Sequence, residues 1–184
     1  MNLNNKQLII LDRDGVINED SDDYVKSPDE WQPIPGSLEA IKKLNDAGKI
    51  VVVATNQSGV GRGLFSQSTL DAMHDKLHHL LRGLGAQVDH IFSCIHTPEN
   101  NCGCRKPKPG MILAAMEKFN APLNKTIVVG DSKRDLEAAH AAGCESVLVK
   151  TGKGIRTLAK SDIESPVFEN LMTFVDALLE SEAR

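Results

Sequence analysis

An α/β fold built on a mostly parallel central sheet is what this chain of 184 residues predicts. Three observations carry the prediction. Short apolar runs with almost no polar interruption recur along the sequence, amphipathic stretches of helical length separate them, and glycines close those stretches.

The first run, Leu8-Ile9-Ile10-Leu11, is apolar at every position and reads as a strand at about 7–11. A helix follows at about 37–47, with Ser37 as its N-cap and Gly48 just past its end. Val51-Val52-Val53-Ala54 gives a second strand at about 50–54. The next helix, at about 67–83, takes Ser68 as its cap and Gly85 as its terminator. A third strand falls at about 88–93 and a helix at about 110–119. Thr126-Ile127-Val128-Val129-Gly130 is the fourth strand, followed by a helix at about 133–142 that stops at Gly143. Val147-Leu148-Val149 marks a fifth strand at about 146–149, and a helix at about 170–180 closes the alternation. Two connections are long, 15–36 and 94–109, and long loops inside a compact domain are usually functional.

The length suits one domain over 1–184 with a sizeable core. With 41% hydrophobic and 25% charged residues, the chain has the composition of an ordinary globular protein. A net charge of −4 argues against a nucleic-acid partner, which calls for a basic face, but leaves anionic small molecules open. No apolar run approaches the roughly 18 residues of a membrane span. The opening Met1-Asn2-Leu3-Asn4-Asn5-Lys6 is polar, so the expected compartment is the cytoplasm, with no membrane association. No long apolar stripe stands out, and a monomer is expected.

The chemistry gathers where strands stop. Asp12-Arg13-Asp14-Gly15 directly follows the first strand, and paired acids at a sheet edge repel unless something cationic sits between them. A D-x-D-G sequence also occurs in calcium loops and acidic turns, so it decides nothing alone. The second strand runs into Thr55-Asn56-Gln57-Ser58-Gly59, a hydroxyl and a turn whose backbone N–H groups suit a phosphate, or merely a polar turn. Arg105-Lys106-Pro107-Lys108-Pro109 offers cations for anionic oxygens ahead of the helix from Met111. The fourth strand ends in Asp131, with Asp135 in the first turn of the next helix. A helix-start acid is explanation enough for Asp135 but not for Asp131. Asp12, Asp14, Asp131 and Asp135 bring about four negative charges together, Lys106 offsets one, and a carboxylate-rich site of this kind fits Mg²⁺.

Asp12-x-Asp14-Gly15, then Thr55, then Lys106, then Gly130-Asp131-x-x-x-Asp135 resembles the four ordered motifs of the haloacid dehalogenase superfamily. The resemblance covers about residues 8–150 and implies a three-layer, Rossmann-like fold. It further implies that Asp12 attacks a phosphate monoester and becomes an aspartyl-phosphate. Asp14 would protonate the leaving alkoxide and then activate water. Mg²⁺ would be held by Asp12, the Asp14 backbone carbonyl and Asp131. Thr55 and Lys106 would bind the transferring group, with Asp135 orienting its neighbours.

Cys94-x-His96-x₅-Cys102-x-Cys104 places three thiols and an imidazole in one loop. In a reducing compartment such clusters are metal ligands more often than disulfides, and four protein ligands leave no open position, which predicts a structural Zn²⁺. The fourth cysteine, Cys144, stands apart and reads as a small buried hydrophobe. Because Cys104 precedes Arg105-Lys106, zinc would also fix the backbone that delivers those cations.

The form C-x-H…C-x-C-R-K-P is similar to two capless branches of the superfamily, heptose-1,7-bisphosphate 7-phosphatases and histidinol-phosphate phosphatases. Thr55-Asn-Gln-Ser-Gly-Val-Gly61-Arg62-Gly63 and Lys106-Pro-Lys-Pro-Gly-Met111 resemble the heptose branch. That branch implies a sugar bisphosphate as the small-molecule partner and a step in building ADP- or GDP-heptose for bacterial surface glycans. The turn residues Asn56, Gln57 and Ser58 would contact substrate, and Arg105 or Arg62 would grip its distal phosphate, Arg105 being preferred. The polar connection Asp20-Ser21-Asp22-Asp23-Tyr24 in the long first loop could reach sugar hydroxyls, Asp20, Asp23 and Tyr24 foremost, although 18–24 holds one residue more than the branch pattern. A catalytically inert, zinc-stabilised binding module is the reading from a different class, and the intact acids and the net charge oppose it.

Overall fold

A computed structural model describes residues 5–183. Six strands form one sheet in the order β3-β2-β1-β4-β5-β6, and every pairing is parallel. They are β1 (Leu8–Leu11), β2 (Ile50–Asn56), β3 (His90–Cys94), β4 (Thr126–Gly130), β5 (Glu145–Val149) and β6 (Val167–Phe168). The helices are α1 (Ser37–Asp46), α2 (Ser58–Gly61), α3 (Gln67–Gly83), α4 (Gly110–Lys118), α5 (Lys133–Ala142), α6 (Gly154–Lys160) and α7 (Leu171–Glu182). The polar opening Met1 to Asn4 lies outside the described residues.

The uninterrupted apolar strands have a simple cause: alternate residues serve opposite faces, and both faces are covered. Ile9, Leu11, Val51 and Val53 pack against Ile41 and Leu44 of α1, Leu70, Met73 and Leu77 of α3, and Phe174 and Leu178 of α7. Leu8, Ile10, Val52 and Ala54 pack against Met111 and Ile112 of α4 and Ala138, Ala139 and Ala142 of α5. Three layers result. Cys144 joins the second cluster, its thiol 3.4 Å from Met116 Sδ.

Several boundaries differ from the sequence reading for physical reasons. Strand β2 continues through Thr55 and Asn56, which pair in register with Ser93 and Cys94, so both are strand residues. The two-residue β6 and the short α2 and α6 are too brief to leave a periodic signal. The cap of α3 is Ser66, whose hydroxyl accepts from Thr69 N–H at 3.1 Å, and Ser68 lies within the helix. Ser37 is likewise not a cap. Gly36, at φ 84°, takes that position, and the Ser37 hydroxyl donates to the Ile17 carbonyl at 2.6 Å. That bond anchors the long first loop, which also buries Trp31 completely and accepts from Lys76 Nζ at the Pro28 and Trp31 carbonyls, 2.7 Å each.

Candidate active site

Strand ends deliver the functional groups to one edge of the sheet. Asp12 extends the β1–β4 ladder by one bond, its N–H donating to the Val129 carbonyl at 2.9 Å. Gly15 then turns the chain away at φ 87°. A Cβ on Gly15 would sit 2.0 Å from Asp131 Oδ2, and one on Gly152 would sit 2.3 Å from the same oxygen. The two glycines therefore let two backbones close around Asp131. Lys153 N–H donates to Asp131 Oδ2 at 2.7 Å, and the Thr157 hydroxyl donates to its carbonyl at 3.0 Å.

Lys106 is the cationic centre. Its Nζ lies 3.0 Å from Asp12 Oδ1 and 2.5 Å from Asp135 Oδ1, and it donates to the Ala54 carbonyl at 2.7 Å. Asn56 fixes its backbone with a reciprocal pair, Oδ1 accepting from Lys106 N–H at 3.0 Å and Nδ2 donating to its carbonyl at 2.9 Å. Asp135 Oδ2 accepts from Ser132 N–H and hydroxyl, closing the capping box of α5. Gln57 Nε2 bridges Asp14 Oδ2 at 2.7 Å and Thr55 Oγ1 at 2.9 Å.

These groups line a cavity of about 190 Å³. It brings together Asp12, Asp14, Thr55, Asn56, Gln57, Ser58, Arg105, Lys106, Asp131 and Asp135, with Asp20 and Tyr24 from the long first loop. Two expected substrate contacts lie outside it. Arg62 is exposed just past α2, and Asp23 is exposed, its carbonyl held by Lys26 Nζ. Ser21 and Asp22 of the same polar connection also line the cavity, as do Val25, Arg134 and Lys153, which the sequence did not single out. Lys153 follows β5, so the strand-end rule extended to the fifth strand would have found it. Its Nζ pairs with Asp20 at 2.7 Å, while Arg156 grips Asp22 with two bonds of 3.0 and 2.9 Å.

The charge pattern marks a place for a cation. Burial pushes the Asp12 carboxyl up to about 7; Lys106 opposes this, while Asp135 and Asp14 add to it. Burial, with Asp135 and Asp12 nearby, raises Asp131 to about 8. Asp135 goes the other way: burial would raise it, but Lys106 and the Ser132 bonds outweigh that and lower it. Carboxylate oxygens of Asp12, Asp131 and Asp135 lie within 4.8 Å of one another. Asp135 is committed to Lys106 and Ser132, so Asp12 and Asp131 are the acids that a divalent ion would relieve, and hard oxygen donors fit Mg²⁺.

Next to this cavity, Cys94, His96, Cys102 and Cys104 converge. Cys94 Sγ is 3.6 Å from Cys102 Sγ and 3.2 Å from Cys104 Sγ, and the last two are 3.4 Å apart. His96 Nδ1 is 3.7 Å from Cys94 Sγ and 3.3 Å from Cys104 Sγ. Donors around a tetrahedral zinc stand about 3.4–3.8 Å apart, so this set fits Zn²⁺ and leaves no vacant position. The cysteines form no disulfide.

A D-x-D aspartate pair, a hydroxyl, a buried lysine and a strand-end acid on a parallel sheet define a hydrolase of the haloacid dehalogenase type. The HAD-hydrolase-like family model matches residues 103–174. D-glycero-beta-D-manno-heptose-1,7-bisphosphate 7-phosphatase of Neisseria meningitidis is 50% identical over 181 residues, 96% of this chain and 97% of that protein. The Pseudomonas aeruginosa enzyme of the same name is 52% identical, covering 95% and 99%. The crystal structure of D,D-heptose 1,7-bisphosphate phosphatase from B. bronchiseptica, complexed with magnesium and phosphate, superposes with a TM-score of 0.92. It is 51% identical, over 95% of this chain and 98% of that one. The chain belongs to the heptose-1,7-bisphosphate 7-phosphatase family of the haloacid dehalogenase superfamily.

Proposed function

We propose that this protein hydrolyses the 7-phosphate of D-glycero-β-D-manno-heptose 1,7-bisphosphate, giving heptose 1-phosphate and inorganic phosphate. The observation that carries the reading is the contact of Lys106 with Asp12 and Asp135 beside Asp14, Thr55 and Asp131 in one cavity. A carboxylate oxygen of Asp12 attacks phosphorus as the bond from phosphorus to the sugar oxygen breaks, and Asp14 gives its proton to that oxygen. Asp14 then takes a proton from water, which attacks phosphorus and releases Asp12 and phosphate. Thr55 and Lys106 hold the phosphoryl oxygens, with the turn Asn56 to Ser58 beside them. Magnesium held by Asp12, Asp131 and the Asp14 carbonyl supplies positive charge for the transferring group. Asp135 fixes Lys106. Cys94, His96, Cys102 and Cys104 would hold zinc, which would fix the segment that carries Arg105 and Lys106.

The distal phosphate is assigned to Arg105, which lines the cavity, whereas Arg62 does not. Arg105→Ala is expected to lower kcat/KM for the bisphosphate about tenfold more than for a simple monophosphate, a difference of about 1.4 kcal/mol. Equal losses would remove the assignment. The protein is read as a monomer acting in the cytoplasm; among the described residues no helix is long and apolar enough to cross a membrane. The deciding experiment compares turnover of heptose 1,7-bisphosphate with that of histidinol phosphate. A tenfold or greater preference for histidinol phosphate would reject the proposal.

A further inference from the structure

Between the two aspartates of the first motif stands an arginine with no exposed surface. Arg13 is 0% exposed, and it does not line the cavity. It folds back beneath its own neighbour, with Nη2 3.0 Å from Asp14 Oδ1 and Nε 3.2 Å from Asp14 Oδ2. This is the two-pronged geometry that fixes a carboxylate in plane as well as in place. Among the described residues, Asp14 is the acid paired with it.

The far side of the guanidinium is held too. Arg13 Nη1 lies 3.4 Å from Nε2 of His74, a residue of α3. Burial, then the Arg13 charge, lowers His74 to about 4, so at neutral pH the ring offers a lone pair. Two further donors complete the Asp14 shell: Asn18 Nδ2 at 2.9 Å on Oδ1, and Gln57 Nε2 at 2.7 Å on Oδ2. Asn18 and Gln57 are neutral and lie outside the main strands and helices, whereas the Arg13–His74 pair ties Asp14 to a helix packed on the sheet. A fully buried guanidinium is costly to desolvate, and stability alone would be served as well by an apolar side chain there.

We infer that Arg13, backed by His74, is a positioning residue that sets the Asp14 carboxylate for proton transfer to the leaving oxygen. The inference rests on the phosphohydrolase reading above. Its distinguishing consequence is that harm scales with the basicity of the leaving group. An alkoxide needs a proton as the bond to phosphorus breaks; p-nitrophenolate does not.

The test is a rapid-quench measurement of phosphoryl transfer to Asp12 in the first turnover, with fructose 1,6-bisphosphate and with p-nitrophenyl phosphate. First-turnover rates exclude the later hydrolysis step, in which Asp14 acts on water for both substrates. Arg13→Met is expected to slow transfer from the alkyl phosphate about 10²-fold and transfer from p-nitrophenyl phosphate far less. Arg13→Lys, which keeps the charge without the fork, should recover part of the loss. His74→Phe should show the same contrast at smaller amplitude, and His74→Gln, which keeps an acceptor, should restore it. Equal slowing with both substrates, or no slowing with the alkyl phosphate, overturns the inference. If Arg13→Met does not fold, the same contrast in Arg13→Lys and His74→Phe decides it by the same criteria. Asp14→Asn serves as the reference. Should it fail to show the leaving-group contrast, the mechanism itself falls; should it show the contrast while the Arg13 and His74 variants do not, only the positioning role falls.

Discussion

The carboxylate cavity and the cysteine loop are neighbours, and each gathers groups that make little sense without a cation. They differ in what is left over once the cation is counted. Around the cysteine loop four donors stand at tetrahedral spacing, so zinc would be enclosed by protein. In the cavity two of the acids, Asp12 and Asp131, are the ones free to meet magnesium, and some 190 Å³ of space remains beside them. A closed donor set stabilises; an incomplete one beside open space can take a phosphate. The two sites are nevertheless linked, because Cys104 is followed at once by Arg105 and Lys106. Arg105 Nη1 also donates to the carbonyl of the zinc-loop His96 at 3.2 Å.

The comparison is broken most sharply on the cavity side. Asp12→Asn removes the proposed nucleophile while keeping size and leaves Lys106 without one of its two carboxylates. Turnover is expected to fall by roughly 10⁴-fold or more, on the scale of nucleophile losses in other covalent enzymes. Acid-quenched protein should carry no acyl-phosphate. Substantial residual activity, or a trapped phosphoryl group in the variant, would contradict the covalent role.

The loop side should respond differently. Metal analysis is expected to find about one zinc per chain, and chelation should lower both Tm and activity, with magnesium alone restoring neither. A Tm drop of roughly 10 °C is expected, since about 2–4 °C accompanies each kcal/mol in a domain of this size. A zinc-free protein that keeps its Tm and its turnover would show that the loop neither binds the ion nor holds Lys106 in place.

How much of this contrast could be read from the sequence depended on where each group stands. Asp12, Thr55 and Asp131 follow or end apolar strands, so their polarity breaks a pattern and draws notice. The four zinc-loop residues were legible because ligand spacing within one loop needs no tertiary knowledge. Lys153 escaped because β5 ends in no acid, and Arg134 because it sits inside a motif already explained by its flanking aspartates. Arg62 and Asp23 were legible as polar residues near the right motifs, but local sequence does not tell which way a turn points; both are exposed and neither lines the cavity. Arg13 was hidden by the opposite problem. A charged residue is expected at the surface, and only the fold reveals that its partner is the adjacent acid.

The finest test of the comparison concerns protons. In the magnesium-free cavity Asp12 is raised to about 7 and Asp131 to about 8, chiefly by burial, against an ordinary value of 3.8. Raised acids hold protons that the unfolded chain has released, so the stability they contribute is complete below about pH 4 and disappears as pH climbs through 7 and 8. Magnesium needs both carboxylates ionised, and below those values it must displace the protons, at a cost of roughly tenfold in affinity per pH unit for each one. At fixed magnesium, the rise in Tm on adding the ion should therefore grow between pH 6.5 and 8.5. Because it is a difference at each pH, contributions from His74 and the cysteines cancel. Zinc already bound at the cysteine loop is present in both measurements and drops out of the difference. A magnesium-induced Tm gain that is flat or shrinks across that range would mean that Asp12 and Asp131 are already ionised, and that the cavity differs from the loop in shape but not in its need for charge.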